Sequence, residues 1–510
     1  MTNEFGSVDK RLEVNRAIIK ELFSTSKNFD FVMRDFEITF DDGSIPAFLV
    51  FFDGLVNKTF INRDIMRGLI QYGGKKPDAD NLNDAIFKKI IALAPLSTDT
   101  DFETIADKIT FGNCLIFVDG CDCAFSADVK GWDARGVGQP LREASLSGPQ
   151  EAFNEVIMNN LALIRKILKD PNLIAENIPV GTKSHTPCAL LYLKGITNKE
   201  LVAEIRDRLQ KIDTEYIFSS GDIEMLVENK TFYPITHTLT TERPDRAAAM
   251  LSDGKVIVIV QGSPFVLVLP TTATDLIEAS EDNYVRVPEA NFMRLVRIAG
   301  IALSLFLPGL FIAVMLYHHE VLPTDLLLAI EASREVVPFP LVVELILMEL
   351  AFELIKEASI RVPSPVGATL GIIGGLILGQ AAVEANIVSP ISIIIVSIAG
   401  LGSFAIPSVA LSRSVALTRF LFIIFASLSG LLGMVCAYII GVSVLSASSS
   451  FGVPFLSPIT PKNGDSSIGA ILVKPIWKKE RRPKNLRTQN PIKQPHISRK
   501  WTKCSAERKD

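Results

Sequence analysis

Apolar and β-branched residues gather first in four short runs, each closed by a glycine: 49–54, 115–120, 190–195 and 257–262. Runs this short and nearly continuous predict strands covered on both faces, with a turn at the glycine. Gly54 and Gly195 lie 141 residues apart, and Gly120 and Gly262 lie 142 apart. The flanks agree, since Gly54-Leu-Val-Asn-Lys58 echoes Gly195-Ile-Thr-Asn-Lys199. This period predicts two similar tandem α/β subdomains, 30–170 and 171–285, behind a flexible N-terminus of residues 1–29. Between them, Phe153, Val156, Ile157, Leu161 and Ile164 keep helical spacing and predict a connecting helix over Glu151–Lys169.

Past residue 290 the pattern changes to long apolar stretches. Segments 295–316, 366–388, 390–411 and 420–445 are each long enough to span the hydrocarbon core of a bilayer, which takes about 20 helical residues. They predict an α-helical transmembrane bundle over 290–460. Segment 338–357 is apolar but studded with glutamates, and is expected as a re-entrant or interfacial element.

Charge sharpens the picture. Mean hydropathy is positive although 21% of residues are charged, because charge and apolarity occupy different parts of the chain. Residues 474–503 carry eleven Lys or Arg against the single Glu480, so the rest is more acidic than the net charge of −4 suggests. The basic tail, 462–510, is expected as a disordered cytoplasmic segment beside anionic lipid headgroups, and nucleic-acid binding is not expected. Arg286, Arg294 and Arg297 place the N-terminal domain on the cytoplasmic side as well. Four crossings satisfy both ends but put Arg413 and Arg419 outside, whereas five would put the tail outside. The four-span reading follows the larger charge.

Candidate chemistry is sparse. Six cysteines lack a framework spacing, and Cys121-Asp-Cys123 with Cys114 lacks the second pair or the histidines of a zinc site. The five histidines are not clustered with acids, and no Walker, nucleophile-elbow or metalloprotease motif is present. No catalytic residue, metal or cofactor is therefore expected. Two features of the bundle remain. Gly367, Gly371, Gly375 and Gly379 recur every fourth residue, the spacing of a flat helix-packing ridge. Glu349, Glu353 and Glu357 share one helical face, with Glu344 to one side. Carboxylates at membrane depth face protein or water, so these four are candidate lining residues of an ion path; an interfacial helix with its acids in solvent is the alternative.

The run from Pro338-Phe-Pro340 through the spaced glutamates, Ile360-Arg-Val-Pro363, the glycine stripe, Gly379-Gln-Ala-Ala-Val-Glu-Ala385 and Ser389-Pro-Ile391 resembles the spore germination receptor A-subunit family (the GerA family) of endospore-forming bacteria. Gly148-Pro-Gln-Glu-Ala-Phe-Asn-Glu155, 160–166, Thr241-Glu-Arg-Pro-Asp245 and Gly262-Ser-Pro-Phe265 extend the resemblance to the soluble half. It covers roughly residues 30–460. The resemblance implies a receptor of the spore inner membrane, working with a transporter-like B subunit and a lipoprotein C subunit. It also implies a homo-oligomer whose nutrient-gated pore conducts ions at germination. A secondary transporter is the alternative, although such proteins usually repeat within the membrane region.

Overall fold

A computed structural model describes residues 6–71, 96–131, 138–228 (except 141, 142, 144 and 146), 234–361, 379–460 and 472–495. The chain forms two compact units. One comprises Met1–Asn229, Thr238–Pro270 and Ile476–Asp510, the other Lys230–His237 and Thr271–Pro475.

The first unit contains two sheets. Helix α1 (Leu12–Leu22) leads into β1 (Phe31–Phe40), β2 (Gly43–Phe52), β3 (Leu96–Asp99), α2 (Phe102–Thr110), β4 (Asn113–Val118) and β5 (Ala124–Asp128). The strand order is β1-β2-β4-β5-β3, with every neighbour antiparallel. Side-chain parity divides β2 between two cores: Ala47, Leu49 and Phe51 enter one, while Phe48, Val50 and Phe52 enter the other. Both faces are covered, which is why this strand reads as an unbroken apolar run.

The second sheet follows α3 (Ile157–Ile167). It comprises β6 (Leu173–Val180), β7 (Thr186–Leu193), then helices α4 (Lys199–Gln210) and α5 (Ser220–Val227), then β8 (Leu239–Thr241), α6 (Pro244–Ser252), β9 (Val256–Val260) and β10 (Val266–Leu269). Its order is β6-β7-β9-β10-β8, again antiparallel throughout. The four strands expected from the sequence are β2, β4, β7 and β9, the second and third positions of each sheet. Gly120, Gly195 and Gly262 have φ of +87°, +79° and +85°, a region glycine enters without a Cβ penalty. Gly54 serves differently: a Cβ there would lie 2.9 Å from the Met158 carbonyl oxygen of α3.

The connecting helix starts at Ile157, six residues later than expected. Residues 153–155 stay outside the helix because the Phe153 amide donates to the Glu242 carbonyl (2.8 Å) and the Gly262 amide to that of Glu155 (2.8 Å). The Asn160 side chain also closes on the Asn154 backbone, accepting from its amide at 2.8 Å and donating to its carbonyl at 2.6 Å. Two sequence motifs meet here. Arg243, fully buried, donates to the carbonyls of Glu143 (3.2 Å) and Pro149 (2.8 Å) and to the Asp245 carboxylate (3.1 Å). Each sheet with its helices makes one lobe of this unit, and from α3 Arg165 reaches the first lobe, donating to Asp30 through Nε (2.6 Å) and Nη2 (2.8 Å).

The tail departs from its expected disorder. Within residues 472–495 it folds into two short 3₁₀ turns and packs against the second lobe, with Leu486 and Arg482 buried. Its basic composition masked the buried leucine and the backbone carbonyls available to Arg482.

The second unit is helical: α7 (Val287–Tyr317), α8 (Thr324–Arg334), α9 (Leu341–Arg361), α10 (Pro390–Phe404) and α11 (Val409–Ala447). Among the described residues, α7 and α11 are long and apolar enough to cross a membrane. At 31 residues, α7 extends about 46 Å at 1.5 Å per residue. Leu428 and Leu432 on α11 are each 69% exposed within the chain, surface that water would penalise and lipid would accept. The expected span 295–316 lies inside α7. The expected span 390–411 does not hold as one helix: α10 stops at Phe404, and Ser408 caps α11 by accepting from the Leu411 amide at 3.3 Å. Pro407 lacks an amide hydrogen and disfavours the helical conformation at Ile406, which explains the break. Most of the expected span 366–388 lies outside the described residues.

Helix α11 is itself broken. Ser429 (φ −148°, ψ 15°) and Gly430 (φ 60°, ψ −136°) leave helical geometry. Tyr317 fills the break: its atoms lie 3.0 Å from where a Gly430 Cβ would be, and its hydroxyl donates to the Ser427 carbonyl at 2.8 Å.

Candidate functional site

The acid-rich segment is the helix α9, and its carboxylates separate into two settings. Glu344, in the first turn and fully buried, accepts from the Ser389 amide at 2.5 Å and the Ser389 hydroxyl at 2.6 Å. The Ser392 hydroxyl lies 3.0 Å from that of Ser389, and Arg334, the last residue of α8, brings Nε to 3.7 Å from Glu344. This cluster fixes the entry to α10, where Pro390 occupies the first turn.

One and a half turns along α9, Glu349 is fully buried and accepts from Nη1 of Arg419 on α11. Arg419 is buried too, and its Nη2 lies 3.5 Å from Glu353, the next acid on that face. Lys356 completes the cluster, 3.9 Å from Glu353 and 3.3 Å from the Ser412 hydroxyl. Arg419 Nε and Nη2 and Glu349 Oε1 are buried without a hydrogen-bond partner among the described residues. The cluster therefore joins α9 to α11 through charge and keeps unused donor and acceptor capacity in an apolar setting, where such capacity is costly.

Of the four expected site residues, Glu349 and Glu353 come together on Arg419. Glu344 belongs to the separate serine cluster, and Glu357 is exposed. Arg419 was read from the sequence only as a charge marking sidedness. Its place inside the apolar stretch Val415–Phe425 was the available signal, since a buried guanidinium requires a carboxylate partner.

Among the described residues, close glycine contacts between helices occur at Gly300, Gly309, Gly400 and Gly402. A Cβ on Gly402 of α10 would lie 2.5 Å from the Gly300 carbonyl oxygen of α7, and one on Gly309 would lie 3.2 Å from that of Phe422. A ring seat is formed at Gly400, where a Cβ would meet Phe352 at 2.3 Å. Gly379 has ordinary contact distance to Ile393, 3.8 Å. Gly367, Gly371 and Gly375 lie outside the described residues.

The cysteines of the first lobe offer no reactive thiol. Burial pushes Cys121 up to about 12 and Cys123 up to about 11, with Asp122 adding to both, so each stays protonated at neutral pH.

A family model described as Bacillus/Clostridium GerA spore germination protein matches residues 17–485. Spore germination protein KA of Bacillus subtilis (strain 168) is 35% identical over 475 residues, covering 93% of this chain and 86% of that protein. An uncharacterized membrane protein of the same strain, YfkQ, is 33% identical over 454 residues, 89% of this chain and 87% of that protein. Among solved structures, the N-terminal domain of the A subunit of the Bacillus megaterium spore germinant receptor GerK3 aligns at 28% identity with a TM-score of 0.39, over 52% of this chain and 96% of that one. The family match runs through both sheets, the acid–arginine cluster and the start of the tail, and the chain belongs to the GerA spore germination protein family.

Proposed function

We propose that this protein is the A subunit of a nutrient germinant receptor, acting as an oligomeric, nutrient-gated ion channel in the spore inner membrane. Family membership over residues 17–485 carries the receptor assignment. The acids of α9 support the channel assignment, because Glu349 and Glu353, countered by Arg419 and Lys356, place ionisable groups inside a helical unit containing two membrane-capable helices. Its partners in this reading are a transporter-like B subunit, a lipoprotein C subunit, further copies of itself and membrane lipid. The chain crosses the bilayer several times, with the N-terminal domain and tail in the cytoplasm, and it catalyses no reaction.

The two sheets act as tandem subdomains of one design. Their matching strand order and the 141- and 142-residue offsets of their central strands support this. Purified full-length protein in planar bilayers tests the channel. Discrete current steps are expected, and proton-coupled uptake into vesicles without such steps would overturn the channel in favour of a transporter.

A further inference from the structure

The tail segment that follows the helical unit is built onto the second lobe by several independent contacts. It first folds on itself: Arg481 and Ile492 form an antiparallel bridge, the Arg482 amide donates to Pro491 (2.9 Å), and the Lys493 amide donates to Glu480 (2.8 Å). The resulting loop then seats on two turns of the lobe. At the C-terminus of α6, Arg482 Nε donates to the Ser252 carbonyl at 2.8 Å, and Lys493 Nζ lies 2.5 Å from the Asp253 carboxylate. Cations at the carbonyl end of a helix complement its partial negative charge. At the turn after β7, the Gln489 amide donates to the Ile196 carbonyl at 2.9 Å, and its side chain donates to that of Thr197 at 2.5 Å.

Shape agrees with these bonds. Gly254 has φ +98°, and a Cβ there would fall 2.4 Å from the Thr488 methyl carbon, so the turn is bare where the tail crosses it. Leu486 is 2% exposed and Arg482 is 8% exposed, whereas Arg481, Lys484 and Arg487 are exposed. The basic residues thus divide between those that grip the lobe and those that remain at the surface.

We propose that residues 476–495 are a strap, docked on the second lobe of the same chain, that returns the polypeptide to the lobe from which the helical unit departs. The chain leaves this lobe after β10, at Pro270, and re-enters the same compact unit at Ile476. The corollary rests on the membrane reading above: a segment whose two ends are fastened to one soluble lobe crosses the bilayer an even number of times. Charge then agrees with parity. Arg419, buried against Glu349, is a partner inside the bundle and drops out of the count of flanking charges that favoured an odd number.

The test uses the full-length protein in membrane vesicles and a carbodiimide, which couples an amine to a carboxylate already in contact. Mass spectrometry should find Asp253 joined to Lys493, with Asp99–Lys108 (2.6 Å) of the first lobe as the internal standard. Asp253→Asn should abolish the first crosslink and spare the second. Absence of the 253–493 crosslink while the standard forms overturns the strap. Mixed ¹⁴N- and ¹⁵N-labelled chains should give crosslinks within one chain; crosslinks only between chains overturn its intrachain form. Parity is read separately, from Lys211→Cys and Asn485→Cys in a cysteine-free background with an impermeant maleimide. Equal labelling in sealed vesicles is expected, and opposite sidedness overturns the corollary. Release of the protein by alkaline carbonate would overturn the membrane reading and with it the parity, yet leave the 253–493 crosslink intact.

Discussion

Two buried arginines, one in each compact unit, face carboxylates in opposite ways. Arg165 meets Asp30 as a fork, through Nε at 2.6 Å and Nη2 at 2.8 Å, donates to the Leu173 carbonyl at 3.2 Å, and stacks 3.9 Å over the Phe52 ring. Its charge is satisfied on every side, and the pair joins α3 to the first lobe. Among the described residues, Arg419 makes one hydrogen bond, to Glu349, and holds Glu353 only at 3.5 Å. The contrast separates two uses of the same chemistry. A fully satisfied buried pair fixes one arrangement, whereas a partly satisfied one retains polar capacity that another arrangement can take up.

The largest effect should come from breaking the satisfied pair. Arg165→Met leaves Asp30 buried without its counter-ion and should cost about 3–5 kcal/mol, read as a lower unfolding midpoint of the full-length protein in detergent. A loss below about 1 kcal/mol would put this pair among ordinary surface ion pairs and erase the contrast. Arg419→Gln should cost less, about 1.5–3 kcal/mol, the worth of one hydrogen bond to a charged group. The exchange Glu349→Arg with Arg419→Glu should recover part of that loss; no recovery would mean that the site depends on more than the sign of its charges.

Function should respond more gently at the half-exposed member. Glu353→Gln should keep the receptor assembled and slow early cation release from spores after nutrient addition. Glu353→Lys should slow it further, because it repels a permeant cation as well as removing an attractor. Potassium efflux, with receptor abundance checked by immunoblot, measures both. Parental rates in the two variants would show that the open valences at Arg419 have no part in conduction.

The smallest effect lies in the second lobe and concerns pH. Burial raises the Glu224 carboxyl above its usual 4.5, against a lowering hydrogen bond from Thr238. The folded state therefore binds this proton more tightly than the unfolded one. That contribution is complete below pH 4.5 and is lost as pH rises through the raised value. Glu224→Gln should flatten this part of the stability profile by less than about 1 kcal/mol. Glu176 runs the other way: burial would raise it, but hydrogen bonds from Arg206 and Tyr192 outweigh that and lower it, so its contribution is lost as pH falls. An unchanged profile in Glu224→Gln would show that Thr238 holds the carboxylate charged.

The sequence revealed the second and third strands of each sheet and missed the others, including β10, whose four residues are all buried. The runs in β2, β4, β7 and β9 are apolar because each side packs against a core. The first strand, Phe31–Phe40, mixes Arg34, Asp35 and Glu37 with its aromatics at the edge of its sheet and gave no such signal. Acid spacing along α9 placed Glu349, Glu353 and Glu357 on one face; the first two meet Arg419, and Glu357 is exposed. The distribution of acids between Arg419 and Ser389 depends on contacts 45 to 70 residues away, which periodicity within one helix does not encode. For the same reason Gly300 and Gly402, which belong to no four-residue glycine period, escaped notice although their backbones approach closely.

The interruption at Ser429 and Gly430 gives α11 the mechanics of two arms and a joint. A continuous helix is a stiff shaft, and torque applied at Ala447 would reach Arg419 undiminished. With backbone geometry released at the joint, twist of the distal arm is absorbed there, and the arm bearing Arg419 keeps its orientation. Tyr317 acts as the stop: the angle between the arms can change only if its ring withdraws and its hydroxyl releases the Ser427 carbonyl.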